Sequence, residues 1–142
     1  MLGRTEIFKL LPHRPPMLML DFITAYEAGK WIQGVKQVMS NDPLLAGHFP
    51  GQPIFPGALV IEALGQLTVA LLKLDPANAD RLYLFGGVDK MRFTKMVQPD
   101  AELILEARLT RVTATAAVSD VLARVGDQVV AKGTLVTGSV GP

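Results

Sequence analysis

The sequence contains no cysteine, which excludes disulfides, thiolate zinc sites and a cysteine nucleophile. That absence also fits a reducing compartment. Histidine is almost as scarce, with two residues, His13 and His48. An excess of charge of one sign is missing too. Fourteen Lys and Arg against 13 Asp and Glu leave a formal net charge of +1, so no global field draws the protein to nucleic acid or an acidic membrane. No apolar run suits a bilayer, which takes about 20 mostly apolar residues. The longest, Ala58 to Leu74, is interrupted by Glu62, Gly65, Gln66, Thr68 and Lys73. The opening Met1-Leu-Gly-Arg-Thr-Glu6 lacks the apolar core of a secretory signal. Together these absences predict a soluble, cytoplasmic protein with neither nucleic acid nor membrane as partner.

What is present is apolar. Of 142 residues, 49% are hydrophobic, enough for one core and for surface buried against another chain. No repeat, linker or low-complexity stretch divides residues 1–142, which are read as a single domain. Glu6 to Leu11 reads as a short helical turn. The prolines of Pro12-His-Arg-Pro-Pro16 forbid regular helix and central strand. Met17 to Tyr26 and Trp31 to Val38 read as strands joined by the turn Glu27-Ala-Gly-Lys30. Ser40 to Pro56 is a long loop with four prolines and two glycines, and loops of that length are often functional. A helix begins near Pro56-Gly57, where proline suits the first turn, and runs to about Leu74. Leu82–Val88, Met91–Met96, Glu102–Val112, Thr115–Val125 and Gln128–Val136 read as strands, the last two joined by a hairpin at Gly126-Asp127. The helix is apolar nearly all round and must be covered on most sides. An α+β fold follows, a curved antiparallel sheet wrapped around one long central α-helix.

The chemistry concentrates in Gly47-His-Phe-Pro-Gly-Gln-Pro-Ile-Phe-Pro-Gly-Ala-Leu-Val-Ile-Glu-Ala-Leu-Gly-Gln66. His48 stands in a loop stiffened by Pro50, Pro53 and Pro56. Glu62 stands within an apolar helix, on the same face as Gln66 at i, i+4. Val60, Ile61, Ala63 and Leu64 around it predict partial desolvation, which raises a carboxyl pKa. Such a carboxyl can donate a proton while a neutral imidazole accepts one. At Gly57 the free N–H groups of a helix N-terminus can meet a ligand carbonyl closely and stabilise charge developing on its oxygen. Each residue also has a plainer reading. His48 can be a hydrogen-bonded loop residue, and Glu62 can face solvent or pair with a cation. Spacing alone does not choose between them.

The same segment resembles the signature of the (3R)-hydroxyacyl-acyl carrier protein dehydratases of type II fatty acid synthesis. The likeness extends to Leu11-Pro-His-Arg-Pro-Pro-Met-Leu-Met-Leu-Asp21, to Asn41-Asp-Pro-Leu44 and to Phe85-Gly-Gly-Val-Asp-Lys-Met-Arg-Phe93. These blocks keep their order over nearly the whole chain. Some positions depart from the pattern: Gly65 and Gly86 replace common alanines, and Pro15 and Met17 stand where an aromatic is common. None of these is a member of the proposed dyad.

The resemblance implies the hot-dog fold and a homodimer, assembling further into a hexamer as a trimer of dimers. It implies that His48 removes the α-proton of a 3-hydroxyacyl thioester and that Glu62 of the other subunit protonates the departing β-hydroxyl. The Gly57 N–H would bind the thioester carbonyl, the product would be a trans-2-enoyl thioester, and neither metal nor cofactor is needed. The partner would be an acyl carrier protein bearing the substrate on phosphopantetheine, in fatty acid synthesis or in a related specialised pathway. Phe49, Ile54, Phe55 and Pro56 are candidates for an acyl tunnel, with ordinary core as the alternative. Arg14, Lys90, Arg92 and Lys95 are candidates for contact with the acidic carrier protein, with a solvated charged face as the alternative. His13, among prolines, reads as structural. Rival activities are a dehydratase that also isomerises, for which aspartate in place of Glu62 is typical, a hot-dog thioesterase, and a non-catalytic carrier-protein-binding scaffold.

Overall fold

The computed structural model describes residues 1–45, 51 and 54–140. Strands β1 (Phe22–Glu27), β2 (Trp31–Val38), β3 (Leu82–Phe93), β4 (Ala101–Val112), β5 (Ala116–Val125) and β6 (Gln128–Val140) form one six-stranded sheet. Their order is β1-β2-β4-β5-β6-β3, with every pair antiparallel. Helix α1 (Arg4–Leu10) begins where the Gly3 N–H donates to the Glu6 carboxylate at 3.0 Å. Helix α2 (Gly57–Lys73) packs against β2, β4, β5, β6 and β3. This is the hot-dog arrangement that the resemblance implied.

The strands show why one face of the sheet takes the helix. Successive side chains of a strand point to opposite faces, and along β4 the buried Leu103, Leu105 and Ala107 alternate with the more accessible Ile104, Glu106 and Arg108. In β5, Ala117, Ser119, Val121 and Ala123 turn inward in the same way. Every residue of α2 from Ala63 to Leu72 is buried, as an apolar helix inside a curved sheet must be. Its buried hydroxyl, on Thr68, donates to the Leu64 carbonyl at 2.9 Å and lies 3.4 Å from the Ser119 hydroxyl. Gly34 lets β2 approach the helix closely. A Cβ there would stand 2.8 Å from a Leu67 methyl and 2.9 Å from the Phe22 carbonyl oxygen.

Three expectations about elements are corrected. The strand expected from Met17 begins only at Phe22, because the Met17 carbonyl and Met19 N–H bond to the Gln66 side chain instead of a ladder. The two strands expected at Leu82–Val88 and Met91–Met96 are one strand, β3, which absorbs Asp89-Lys90 as an irregularity of register. Lys90 there has φ +52°, and such irregularities let a strand bend without ending. Finally, β6 continues to Val140, which pairs with Leu82.

Strand β3 is an edge of the sheet. Along it Leu82, Leu84, Phe85, Val88 and Phe93 are 44–54% exposed. A long apolar edge left open in this way invites pairing with another chain.

Candidate active site

Glu62 lies in the second turn of α2, and its carboxyl is held by a buried neighbour. The Gln66 amide, 1% exposed, donates from Nε2 to Glu62 Oε2 at 2.8 Å. The same amide donates to the Met17 carbonyl at 2.9 Å and accepts from the Met19 N–H at 2.8 Å. Gln66 therefore ties the carboxyl and the chain after the prolines to one point on the helix. The i, i+4 relation expected for Glu62 and Gln66 is present, and it does more than share a face. Glu62 Oε1 makes no hydrogen bond among the described residues.

A cavity of about 160 Å³ opens beside this carboxyl, lined by His13, Gly65, Gln66, Val69, Tyr83 and Phe85 among others. Glu62 is one-fifth exposed into it. Burial pushes the Tyr83 phenol above its ordinary range, helped by Asp75 and opposed by Arg81, so it is protonated at neutral pH.

His13, structural by its sequence context, stands at the site itself. Its Nε2 lies 3.8 Å from Glu62 Oε2, and its buried Nδ1 has no hydrogen-bond partner among the described residues. A proline-rich segment hides such a role, because local sequence does not say which helix residue the segment will cover.

Gly57 begins α2 after Pro56, which caps the helix in extended conformation. It lines a second cavity, about 120 Å³, with Ile54, Phe55, Phe93, Lys95 and other residues. A Cβ at Gly57 would stand 3.1 Å from the Phe93 ring. The two cavities have no lining residue in common. Gly57 and Glu62, five residues apart, are about 7.5 Å apart along the axis and point to different sides of the helix.

The other expected residues divide. His48 and Phe49 lie outside the described residues. Phe55, 2% exposed, bridges to Val97 through its N–H at 2.8 Å and belongs to the core as well as to the second cavity. Pro56 acts as the helix cap. Arg14 is committed internally: its guanidinium donates to the carbonyls of Leu11, His13 and Phe8 at 2.7–3.1 Å and stacks 4.6 Å over the Phe8 ring. A guanidinium so engaged braces the proline segment. Lys90, Arg92 and Lys95 are exposed on β3 and just beyond it.

A family model described as a FabA-like domain matches residues 11–134. The chain is 44% identical over 130 residues to the 3-hydroxyacyl-[acyl-carrier-protein] dehydratase FabZ of Natranaerobius thermophilus, covering 92% of each chain. It is 43% identical over 136 residues to the protein of the same name from Desulforamulus reducens, covering 95% of each. Among solved structures, the dehydratase heterocomplex ApeI:P from Xenorhabdus doucetiae is similar in fold, with a TM-score of 0.82 at 18% identity, over 95% of this chain and 91% of that one. The virulence protein Cj0977 of Campylobacter jejuni is also similar in fold, with a TM-score of 0.74 at 15% identity, over 97% and 90%. The carboxyl on the central helix thus stands in a chain whose likeness to these relatives runs almost end to end, and the protein belongs to the FabA-like family, as a FabZ-like dehydratase.

Proposed function

We propose that this protein converts (3R)-3-hydroxyacyl-[acyl carrier protein] to trans-2-enoyl-[acyl carrier protein] in the cytoplasm, with His48 as base and Glu62 as acid. The observation that carries the reading is the Glu62 carboxyl, fixed by Gln66 at the wall of a cavity beside the exposed β3 edge. In the reaction the Cα–H and Cβ–O bonds break and a Cα=Cβ bond forms. The His48 imidazole takes the α-proton, and the Glu62 proton leaves with the β-hydroxyl as water. Hydroxide is a poor leaving group, so the acid is needed, and Oε1 is the oxygen available to it. Charge that builds on the thioester oxygen is met by the Gly57 N–H at the start of α2.

The separation of the two cavities favours a site shared between two copies. Tyr83, Leu84 and Phe85, at one end of β3, line the Glu62 cavity, and Phe93, at the other end, lines the Gly57 cavity. Antiparallel pairing of this edge with its own copy sets the Phe85 end of one strand against the Phe93 end of the other. Glu62 of one copy then approaches Gly57 of its partner. The same pairing covers the apolar edge and makes a homodimer; the resemblance carries the further step to a trimer of dimers. Lys90, Arg92 and Lys95 near this edge provide cations for an acidic carrier protein.

The test is incubation with 3-hydroxyacyl-carrier protein of several chain lengths, following loss of water by mass and enoyl formation by ultraviolet absorbance. Turnover that disappears in His48→Ala supports the reading. Release of free thiol instead would replace it with thioester cleavage.

A further inference from the structure

The cavity beside Glu62 is bounded by an aromatic ring that rests on bare helix backbone. Gly65, one turn beyond Glu62, is buried in the interior of α2, where glycine costs about 1 kcal/mol relative to alanine. The space it leaves is occupied. A Cβ built on Gly65 would overlap the Phe85 ring, meeting Cε1 at 2.5 Å and Cε2 at 2.9 Å, with Cζ closer still. The ring belongs to the β3 edge, where its neighbours along the strand are exposed. Within one copy its position is therefore set less by surrounding core than by the notch it enters. Glu62, Gly65 and Val69 follow one another along one stripe of the helix, at i, i+3 and i+7, and all three line the cavity with Phe85.

We infer that Gly65 and Phe85 together form a specificity-determining stop, which limits how much acyl chain can lie along α2 beyond Glu62. This rests on the acyl-thioester reading of the site above. Glycine at 65 lets the ring lie against the helix, and the ring in turn closes the end of the cavity. Phe85→Ala removes the stop. Gly65→Ala drives the ring out of the notch and changes the same boundary from the other side. The two changes are coupled, because the added methyl has nothing to collide with once the ring is gone.

The experiment measures the affinity of saturated acyl-pantetheines, from short to long, for wild type, Gly65→Ala, Phe85→Ala and the double variant, each confirmed as folded by circular dichroism. Turnover is followed on the matching 3-hydroxyacyl-carrier proteins. Each additional methylene accommodated is worth roughly fourfold in affinity, so Phe85→Ala is expected to shift the long-to-short affinity ratio by about tenfold or more. Gly65→Ala is expected to shift the ratio in the wild-type background and to leave it unchanged in Phe85→Ala. A ratio within about twofold of wild type in Phe85→Ala overturns the stop, and equal effects of Gly65→Ala in both backgrounds overturn the coupling. A coupled shift in affinity without turnover on any chain would uphold the stop and count against dehydration. Normal turnover with an unshifted ratio would do the reverse.

Discussion

Replacing Gln66 by leucine keeps the bulk of a buried side chain and removes three hydrogen bonds. Met19 is fully buried, so its N–H loses its partner where water cannot replace it, at a cost of about 1–3 kcal/mol. The bond to Glu62 is lost as well, discounted because that carboxyl is one-fifth exposed. A loss of about 2–4 kcal/mol is expected in all, large against the roughly 5–15 kcal/mol of a typical domain. Urea unfolding at fixed protomer concentration should show a lower midpoint with an unchanged slope. The Glu62 carboxyl also loses its anchor, and a misplacement of about 1 Å can cost on the order of a hundredfold in rate. Glu62→Gln separates the two effects. Its amide oxygen can still accept from Gln66, so stability should stay within about 0.5 kcal/mol, while the acid is gone and turnover falls by about two to four orders of magnitude. A Gln66→Leu protein as stable and as active as wild type would refute the clamp.

Three other outcomes are expected. Mixing inactive His48→Ala and Glu62→Ala protomers should restore part of the activity, because one of the two shared sites then keeps both groups; no recovery in mixtures shown by native mass spectrometry to contain heterodimers would place the site within one chain. His13→Ala should lower kcat with little change in KM, and His13→Gln should recover part of the loss by returning a donor near Glu62 Oε2; equal losses in the two variants would reduce His13 to packing. In Tyr26→Phe, where Tyr83 is the remaining phenol, alkaline absorbance titration should give a midpoint above the ordinary 10.0. The folded state then holds that proton longer than the unfolded one, so stability falls as pH rises from the ordinary value through the folded midpoint. A midpoint at or below the ordinary value would contradict burial as the cause.

Much of this protein is determined by local sequence. The apolar run from Ala58 to Leu74 with its proline entry specifies a buried helix, and alternation along Glu102–Val112 and Thr115–Val125 specifies strands, because periodicity is a property of neighbouring residues. A carboxylate inside that helix marks a candidate site, since such groups are seldom buried without a reason. The remaining features depend on which segments meet. That Met17–Met19 forgoes a ladder depends on Gln66 lying within reach. That Arg14 braces its own segment depends on the carbonyls that segment turns toward it. His13 beside Glu62, the Phe85 ring against Gly65, and the separation of Glu62 from Gly57 are contacts between residues far apart along the chain or on different sides of one helix. Sequence order carries no distance for such pairs, and packing of the sheet around the helix decides them.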